Sequence, residues 1–539
     1  MPLARSIVSA ALLGSSVARA LPHEPRHTES PDVQVSCPST PDGAGPELLD
    51  AFVSYSVELA FWPDFGGNLS HPNTFSNNLL DNLGELQGTK PHIRVGGNTQ
   101  DYAIYDPDLP TATKGIVVPS RSPDYPYYLT IGPSFFESYQ TFPSVKYAHG
   151  FNLAKNGSAA RRSLVESAKV ACKVLGEDDR FLLWELGNEP DLYKTSAQGI
   201  KRPADWDEED YVREWKDGTA AIRDAIAEAC PEMASDARYK YMAPSFAGTS
   251  NSLDPNEVWA DGLDGRRDIA WISQHNYIDG ATQPGVTLQG TLMNHTRTAS
   301  SVTPLVSLAR NLSAAHPALP FVLGETNSLY NQGAPGLSDS FGAALWGLDF
   351  RLHSAARGVA AVHMHQGTGY RYAAWQPVAT ATGRRRTRAP YYGDAAAAAM
   401  VGARARGPAR VRELAAAERA VAYAAYEGAG LARLMAISLD AYNGTGAAAE
   451  AAARPAATFA LGLPEGCARE ARVARLMAGG SDAVAGVTWD GVSFDWELDE
   501  GRPVVVGNAT RDERVAVGED GVMVLEVPHS SAAMVRVDC

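Results

Sequence analysis

Residues 181–191 read FLLWELGNEPD. The apolar run from Phe181 to Leu186 suits a buried strand and is too short for a buried helix. It breaks at Gly187 into Asn188-Glu189, followed by Pro190, which resists helix continuation. A second stretch of this form, FVLGETN at 321–327, delivers Glu325 to a strand end. Working outward, six more short apolar or β-rich runs lie between residues 50 and 392: 52–59, 92–97, 144–151, 239–245, 269–277 and 359–365. They alternate with helical or loop segments, which predicts an α/β protein with a parallel sheet. Eight such units suit a closed (β/α)8 TIM barrel better than an open doubly wound sheet, because polarity collects where the runs finish. Glu58, Asn98, Asn152, Asn188-Glu189, Ser245, His275 and Tyr277, Glu325 and His365-Gln366 all lie at or just past a run's end. Barrel enzymes gather their chemistry at that carboxyl face.

Glu189 and Glu325 are 136 residues apart. At the average repeat of such a barrel this separation sets them on the fourth and seventh strands, facing each other across the mouth. Two carboxylates converging on one substrate are what glycoside hydrolysis requires: one protonates the leaving oxygen while the other attacks the anomeric carbon or activates water. His275-Asn276-Tyr277 ends the intervening strand, where a tyrosine hydroxyl can hydrogen-bond the nucleophilic carboxylate and keep it ionised. Asn188, beside the acid, can reach a sugar hydroxyl. Glu185, inside the strand, reads as structural, and Asp191 as a cap or loop residue.

The 539 residues are 45% hydrophobic and 20% charged, the composition of a folded globular protein, and exceed what one core ordinarily holds. From about residue 394 the strand–helix alternation stops, alanine runs appear, and short strand-like pieces follow with turn signals at Asn443-Gly444 and Asp490-Gly491. This predicts an antiparallel β-sandwich over 393–539 behind a barrel over 48–392. Residues 21–47 form an N-terminal segment whose DVQVSC stretch (32–37) can add an edge strand to the sandwich. Residues 1–20 carry Arg5, an apolar stretch from Ile7 to Val17 and Ala18-Arg19-Ala20, the pattern of a cleaved secretion signal. That stretch is well short of the ~20 residues a spanning helix needs. A secreted, extracellular protein without a membrane partner is expected, and six N-x-S/T sites, at Asn68, Asn156, Asn294, Asn311, Asn443 and Asn508, agree with it. The net charge of -15 opposes a nucleic-acid partner. The five cysteines have no metal-ligand spacing. Cys172 lies on one helical stripe and Cys230 ends another, the two helices flanking one strand, so the cysteines either pair or remain two buried thiols. No metal or organic cofactor is expected. The arginines at 384–386 and 388 read as a solvated loop or a processing target.

The segments SVELAFWPDFGGN (56–68), RVGGNTQD (94–101), TIGPSFFES (130–138), WELGNEPDLY (184–193), SQHNY (273–277), LGETNS (323–328) and YAAWQP (372–377) together resemble glycoside hydrolase family 79 of clan A. This is the family of β-glucuronidases and heparanases, and the likeness is to its secreted fungal-type β-glucuronidases in particular. The resemblance implies a retaining mechanism with Glu189 as general acid/base and Glu325 as nucleophile, ~5 to 5.5 Å apart. It implies that Tyr277 and Arg94 steady the nucleophile, that Glu58 holds sugar hydroxyls on the far side of the ring, and that Asn98 and Asn188 contact neighbouring hydroxyls. It assigns a uronic carboxylate to tyrosine hydroxyls and backbone amides after the seventh and eighth strands, with Tyr330 and Tyr372 the better matches among the tyrosines and Tyr370 a further one. The expected partner is a glucuronic acid-containing carbohydrate, such as an arabinogalactan, with or without a 4-O-methyl group. The alternatives are a heparanase-like endo-acting enzyme, disfavoured by the acidic pI near 5.3, and a carbohydrate-binding protein on an inactive scaffold.

Overall fold

A computed structural model of the chain describes residues 31–195, 199–444, 453–507 and 511–539. The expected signal segment and Asn508 lie outside them. Strand β1 (Val33–Ser36) is followed by the first barrel strands β2 (Val53–Glu58) and β3 (Ile93–Gly96), then by an insertion containing β4 (Ala103–Tyr105), β5 (Thr113–Val118) and β6 (Ser122–Ile131). The barrel continues with β7 (Tyr147–Phe151), β8 (Phe181–Leu186), β9 (Tyr241–Phe246), β10 (Ile269–Gly280), β11 (Phe321–Tyr330) and β12 (Ala361–Gln366). These eight strands close in the order β2-β3-β7-β8-β9-β10-β11-β12. Each arises from one of the apolar runs, so the TIM barrel and the second β-domain follow the expectation. Pairing is parallel all round, including β12 with β2, which closes the ring.

Helices α1 (Trp62–Gly66) and α2 (Thr74–Gln87) follow β2, and α3 (Ser158–Leu175) follows β7. Then α4 (Glu208–Ala229), α5 (Pro255–Ala260), α6 (His295–Ala315), α7 (Phe341–Ala356) and α8 (Ala389–Val401) follow β8 to β12 in turn. The crossover after β3 carries the small sheet β4-β6-β5 and a 3-10 stretch, Pro133–Gln140. Helix starts follow local chemistry. Asp207 caps α4 by accepting from the Asp210 N–H at 3.0 Å, and Glu208, Glu209 and Asp210 place negative charge at the positive end of the helix.

The boundary drawn at 392/393 is corrected by α8, which runs straight across it. The alanine run 395–399 is the middle of this helix, and α8 is buried along nearly its whole length, packing on α7 and β2 of the barrel and on strands of the second domain. Alanine forms helix readily, and its small side chain lets neighbouring backbones approach closely. A Cβ added at Gly393 would sit 2.2 Å from the Ala344 carbonyl oxygen. With both sides covered, the helix carries no polar face, so nothing in its pattern announced it.

The second domain begins with strand Ala409–Ala416 and packs a nine-stranded sheet against a three-stranded one. The small sheet consists of β1, Ala456–Gly462 and Val522–Pro528, so the N-terminal strand does join the sandwich, pairing in parallel through Val33 with Phe459. Asp490 and Gly491, both with positive φ, make the turn of the hairpin Thr488–Trp489/Val492–Ser493.

Cys172 on α3 and Cys230 after α4 form a disulfide, and Cys467 pairs with Cys539, leaving Cys37 as a buried free thiol. The first bridge closes a loop of 58 residues. Its removal in Cys172→Ser/Cys230→Ser is expected to cost up to about 4 kcal/mol through the freed unfolded chain. Calorimetry of the purified variant under non-reducing conditions, with the wild type alongside, measures the loss.

Candidate active site

The carboxyl face of the barrel holds a cavity of about 430 Å³ lined by, among others, Glu58, Asn98, Tyr125, Glu189, Tyr277, Glu325, Tyr330, His365 and Tyr372. Glu189 arrives there because β8 ends abruptly. Gly187 and Glu189 both take left-handed backbone (φ 83° and 49°), which turns the chain off the strand, and the Glu189 N–H donates to the Ser245 carbonyl at 3.0 Å. A left-handed glutamate is a strained position, of the kind that persists when its surroundings fix it. The His275 imidazole meets the Glu189 Oε1 at 3.1 Å.

Glu325 sits inside β11, opposite His275 of β10; Tyr277 lies two positions further up that strand. The Tyr277 hydroxyl donates to Oε1 of Glu325 at 2.8 Å, and Arg94 donates to Oε2 at 2.7 Å. Arg94 is wholly buried, and it also donates to Glu185 at 2.8 Å, Ser56 at 3.0 Å and Asn188 at 2.8 Å. Glu185 is therefore structural in a definite sense: it neutralises and orients the cation that touches Glu325. Ser245 holds its other oxygen at 2.6 Å.

These surroundings separate the two glutamates. Burial is the largest influence on Glu189 and the charge of Glu325 the next; together they raise it to about 8. Burial pushes Glu325 upward too, but His365, His275, Arg94 and the Tyr277 hydroxyl outweigh it and hold the group down at about 2. Of these opposing partners, Arg94 and the Tyr277 hydroxyl are in place at every working pH. At neutral pH the site pairs a protonated acid with an ionised carboxylate. Tyr277→Phe removes a donor that favours the charged form of Glu325, so its pKa rises and the acidic limb of the pH–kcat/KM profile moves to higher pH. A profile superimposable on that of the wild type is the contrary outcome.

Glu58 ends β2. Its Oε1 accepts the Thr99 N–H at 2.7 Å and the Thr99 hydroxyl at 2.6 Å, while Oε2 takes the Tyr370 hydroxyl at 3.0 Å and faces His365 at 3.3 Å. Gly97 (φ 84°) permits this approach, because a Cβ there would lie 2.7 Å from Glu58 and 2.9 Å from His365. Asn98 reaches the cavity and donates to the Tyr125 hydroxyl at 3.1 Å.

Two expected substrate contacts are placed elsewhere. Tyr370 is fully buried beneath the pocket wall, and its hydroxyl is committed to Glu58, so it orients that carboxylate and does not line the pocket itself. Asn188 is likewise behind the wall, with its Oδ1 taken by Arg94 and its amide donating to Asn98 at 3.2 Å. Asp191 is more than a loop residue. It is buried, and it accepts from the Ala247 N–H at 2.9 Å and the Asn251 amide at 2.7 Å, pinning the loop after β8 to the loop after β9. Tyr330 stands at the rim, 40% exposed, and Tyr372 is buried in the wall beside Tyr277. Tyr125, carried in by the β6 insertion, had no signal in the sequence, whereas His365, placed at the carboxyl face by the end of the eighth run but without a role there, bridges Glu58 and Glu325.

Glu189, His275 and Glu325 bring ligand atoms within 4.8 Å of one another. Each is already committed, and the Arg94 guanidinium at 2.7 Å from Glu325 opposes a second cation. A similar group, His295, His353 and Glu413, ties α6 and α7 to the strand Ala409–Ala416, with Asp349 on His295 and Arg357 on Glu413.

Compared with known proteins, the chain is 52% identical over 538 residues to a β-glucuronidase of Aspergillus niger, covering 98% of each, and residues 422–534 match the glycosyl hydrolase family 79 C-terminal beta domain. The chain belongs to glycoside hydrolase family 79. It is also 48% identical to a β-glucuronidase of Neurospora crassa, over 90% of this chain and 91% of that one. Among solved structures, a 4-O-α-L-rhamnosyl-β-D-glucuronidase from Fusarium oxysporum in complex with Rha-GlcA superposes with a TM-score of 0.75 at 25% identity, covering 94% of this chain and all of that one. As a family 79 member the protein is a glycoside hydrolase, and its chemistry is that of cleaving an O-glycosidic bond.

Proposed function

We propose that the protein is a secreted, exo-acting, retaining β-glucuronidase that releases terminal glucuronic acid, with or without a 4-O-methyl group, from glycans such as arabinogalactan. The observation that carries this reading is that one carboxylate oxygen of Glu189 and one of Glu325 lie within 4.8 Å of each other in one sugar-sized pocket. That spacing supports direct attack, since an inverting enzyme keeps its carboxyl groups roughly 6.5–9.5 Å apart to admit water between them. The ionised Glu325 attacks the anomeric carbon as Glu189 gives its proton to the departing oxygen. The ester so formed removes a negative charge beside Glu189, whose pKa falls, so that it can take a proton from the incoming water. That water attacks the anomeric carbon, displacing Glu325 and releasing the sugar with its original configuration.

The β-glucuronidase relatives support a uronic acid in the pocket. So does the loop after β11: the N–H groups of Asn331 and Gln332 donate to nothing among the described residues, and both residues line the cavity with Tyr330. Amides and a tyrosine hydroxyl are what a buried carboxylate needs. The net charge of -15 supports a short glycoside over a long polyanion. Two disulfides agree with an oxidising destination and with the signal read at 1–20. Following hydrolysis of an aryl β-glucuronide by NMR is the test: β-glucuronate is expected first, with mutarotation afterwards. An initial α product, or turnover of heparan sulfate without turnover of the aryl glycoside, overturns the reading.

A further inference from the structure

The loop after β11 has three consecutive residues in left-handed backbone: Asn331 (φ 61°), Gln332 (φ 63°) and Gly333 (φ 77°). Two of them are not glycine, so this conformation needs outside support. All of that support on the carbonyl side comes from Arg371, in the loop after β12. Its Nη2 donates to the Asn331 carbonyl at 3.1 Å, its Nε to the Gly333 carbonyl at 3.0 Å, and its backbone N–H to the Gln332 carbonyl at 2.9 Å. The guanidinium is itself fixed by Asp124 of β6, at 2.6 and 3.0 Å, a two-pronged pair that only arginine can make. One side chain thus joins the loops after β3, β11 and β12.

In a trans peptide the N–H points opposite the preceding carbonyl. Drawing the Asn331 carbonyl toward Arg371, which is not part of the pocket wall, turns the Gln332 N–H toward the pocket. The Tyr330 carbonyl, held by the Ala281 N–H at 3.0 Å, sets the Asn331 N–H in the same manner. Two adjacent N–H groups left open in a turn make a concavity suited to an anion. The Gly333 and Ala334 N–H groups are already occupied, by the Leu329 carbonyl and the Ser338 hydroxyl.

We propose that Arg371, held by Asp124, is a positioning residue for carboxylate recognition: it captures the outer carbonyls of residues 331–333 and so presents the Asn331 and Gln332 amides to the uronate. The proposal rests on the β-glucuronidase reading above and assigns the specificity of that pocket to a group the sugar does not touch.

The test compares Arg371→Ala, Arg371→Lys and Asp124→Ala with the wild type on 4-nitrophenyl β-glucuronide and 4-nitrophenyl β-glucoside. Loss of aligned donors to a charged group is expected to raise KM for the glucuronide roughly 10-fold or more in Arg371→Ala, with kcat changed less than about 3-fold. The glucoside, which has no carboxylate, should be turned over at its wild-type rate, however slow. Arg371→Lys keeps the charge but loses the fork and should resemble the alanine variant. Asp124→Ala should show the same pattern in weaker form, and it serves if Arg371→Ala does not fold. Equal losses on both glycosides, a lysine variant with wild-type KM, or no change in any variant each overturn the proposal. A wild-type protein inactive on the glucuronide defeats the function reading instead.

Discussion

Glu325→Gln is expected to abolish turnover of every glycoside, activated or not, by roughly 10⁴-fold or more, which is at least about 5 kcal/mol of transition-state stabilisation. The substitution removes the electron pair that forms the glycosyl ester. It also replaces one of the two oxygens to which Arg94 and Tyr277 donate by an amide NH₂, so either Arg94 faces another donor or the Tyr277 hydroxyl must turn to accept. A smaller variant separates these effects. Glu325→Ala leaves room beside the anomeric carbon, and azide should restore part of the activity with an α-glucuronosyl azide as product, because only one displacement then occurs. A variant that keeps a tenth of wild-type kcat, or a rescue product of β configuration, would place the nucleophile elsewhere.

Glu189→Gln is expected to be selective where Glu325→Gln is not. An aglycone that departs unaided needs little protonation, so formation of the ester on a dinitrophenyl glucuronide should survive. On an alkyl glucuronide or a glycan it should fall by roughly 10²–10⁴-fold. Release of the ester still needs a base, and with glutamine at 189 the second step becomes limiting on the activated substrate, seen as a burst of dinitrophenolate equal to the enzyme present. The basic limb of the kcat/KM profile, which follows loss of the Glu189 proton at about 8, should vanish with it. Equal losses on good and poor leaving groups would sink the acid/base assignment.

Much of this architecture could be read from the chain. The eight barrel strands are short runs bounded by polar groups, and a strand end is a local event that one window of sequence records. The positions of Glu189 and Glu325 followed because spacing along a repeating fold translates into angle around a ring. What escaped was set by distant contacts. Helix α8 has no polar face to give it period, since the sandwich covers the side that solvent would otherwise take. Tyr370 and Tyr372 lie two residues apart in one loop, yet one hydroxyl is used under the floor and the other ring lines the wall. Nothing in their composition distinguishes them. Asn188 looked like a sugar contact because it neighbours Glu189, but the buried Arg94 claims its carbonyl. Tyr125 lines the pocket from an insertion and Arg371 braces its wall from a late loop, and only closure of the ring brings those segments together.

Because α8 is roofed by the sandwich, and because its thirteen positions Ala389–Val401 are nearly all apolar, the barrel has no finished exterior of its own. Cutting the gene after α8 would leave a greasy wall facing water, and such a fragment should aggregate before its catalysis can be assayed. The sandwich therefore completes the barrel's wall, and the two domains are expected to be stable only together.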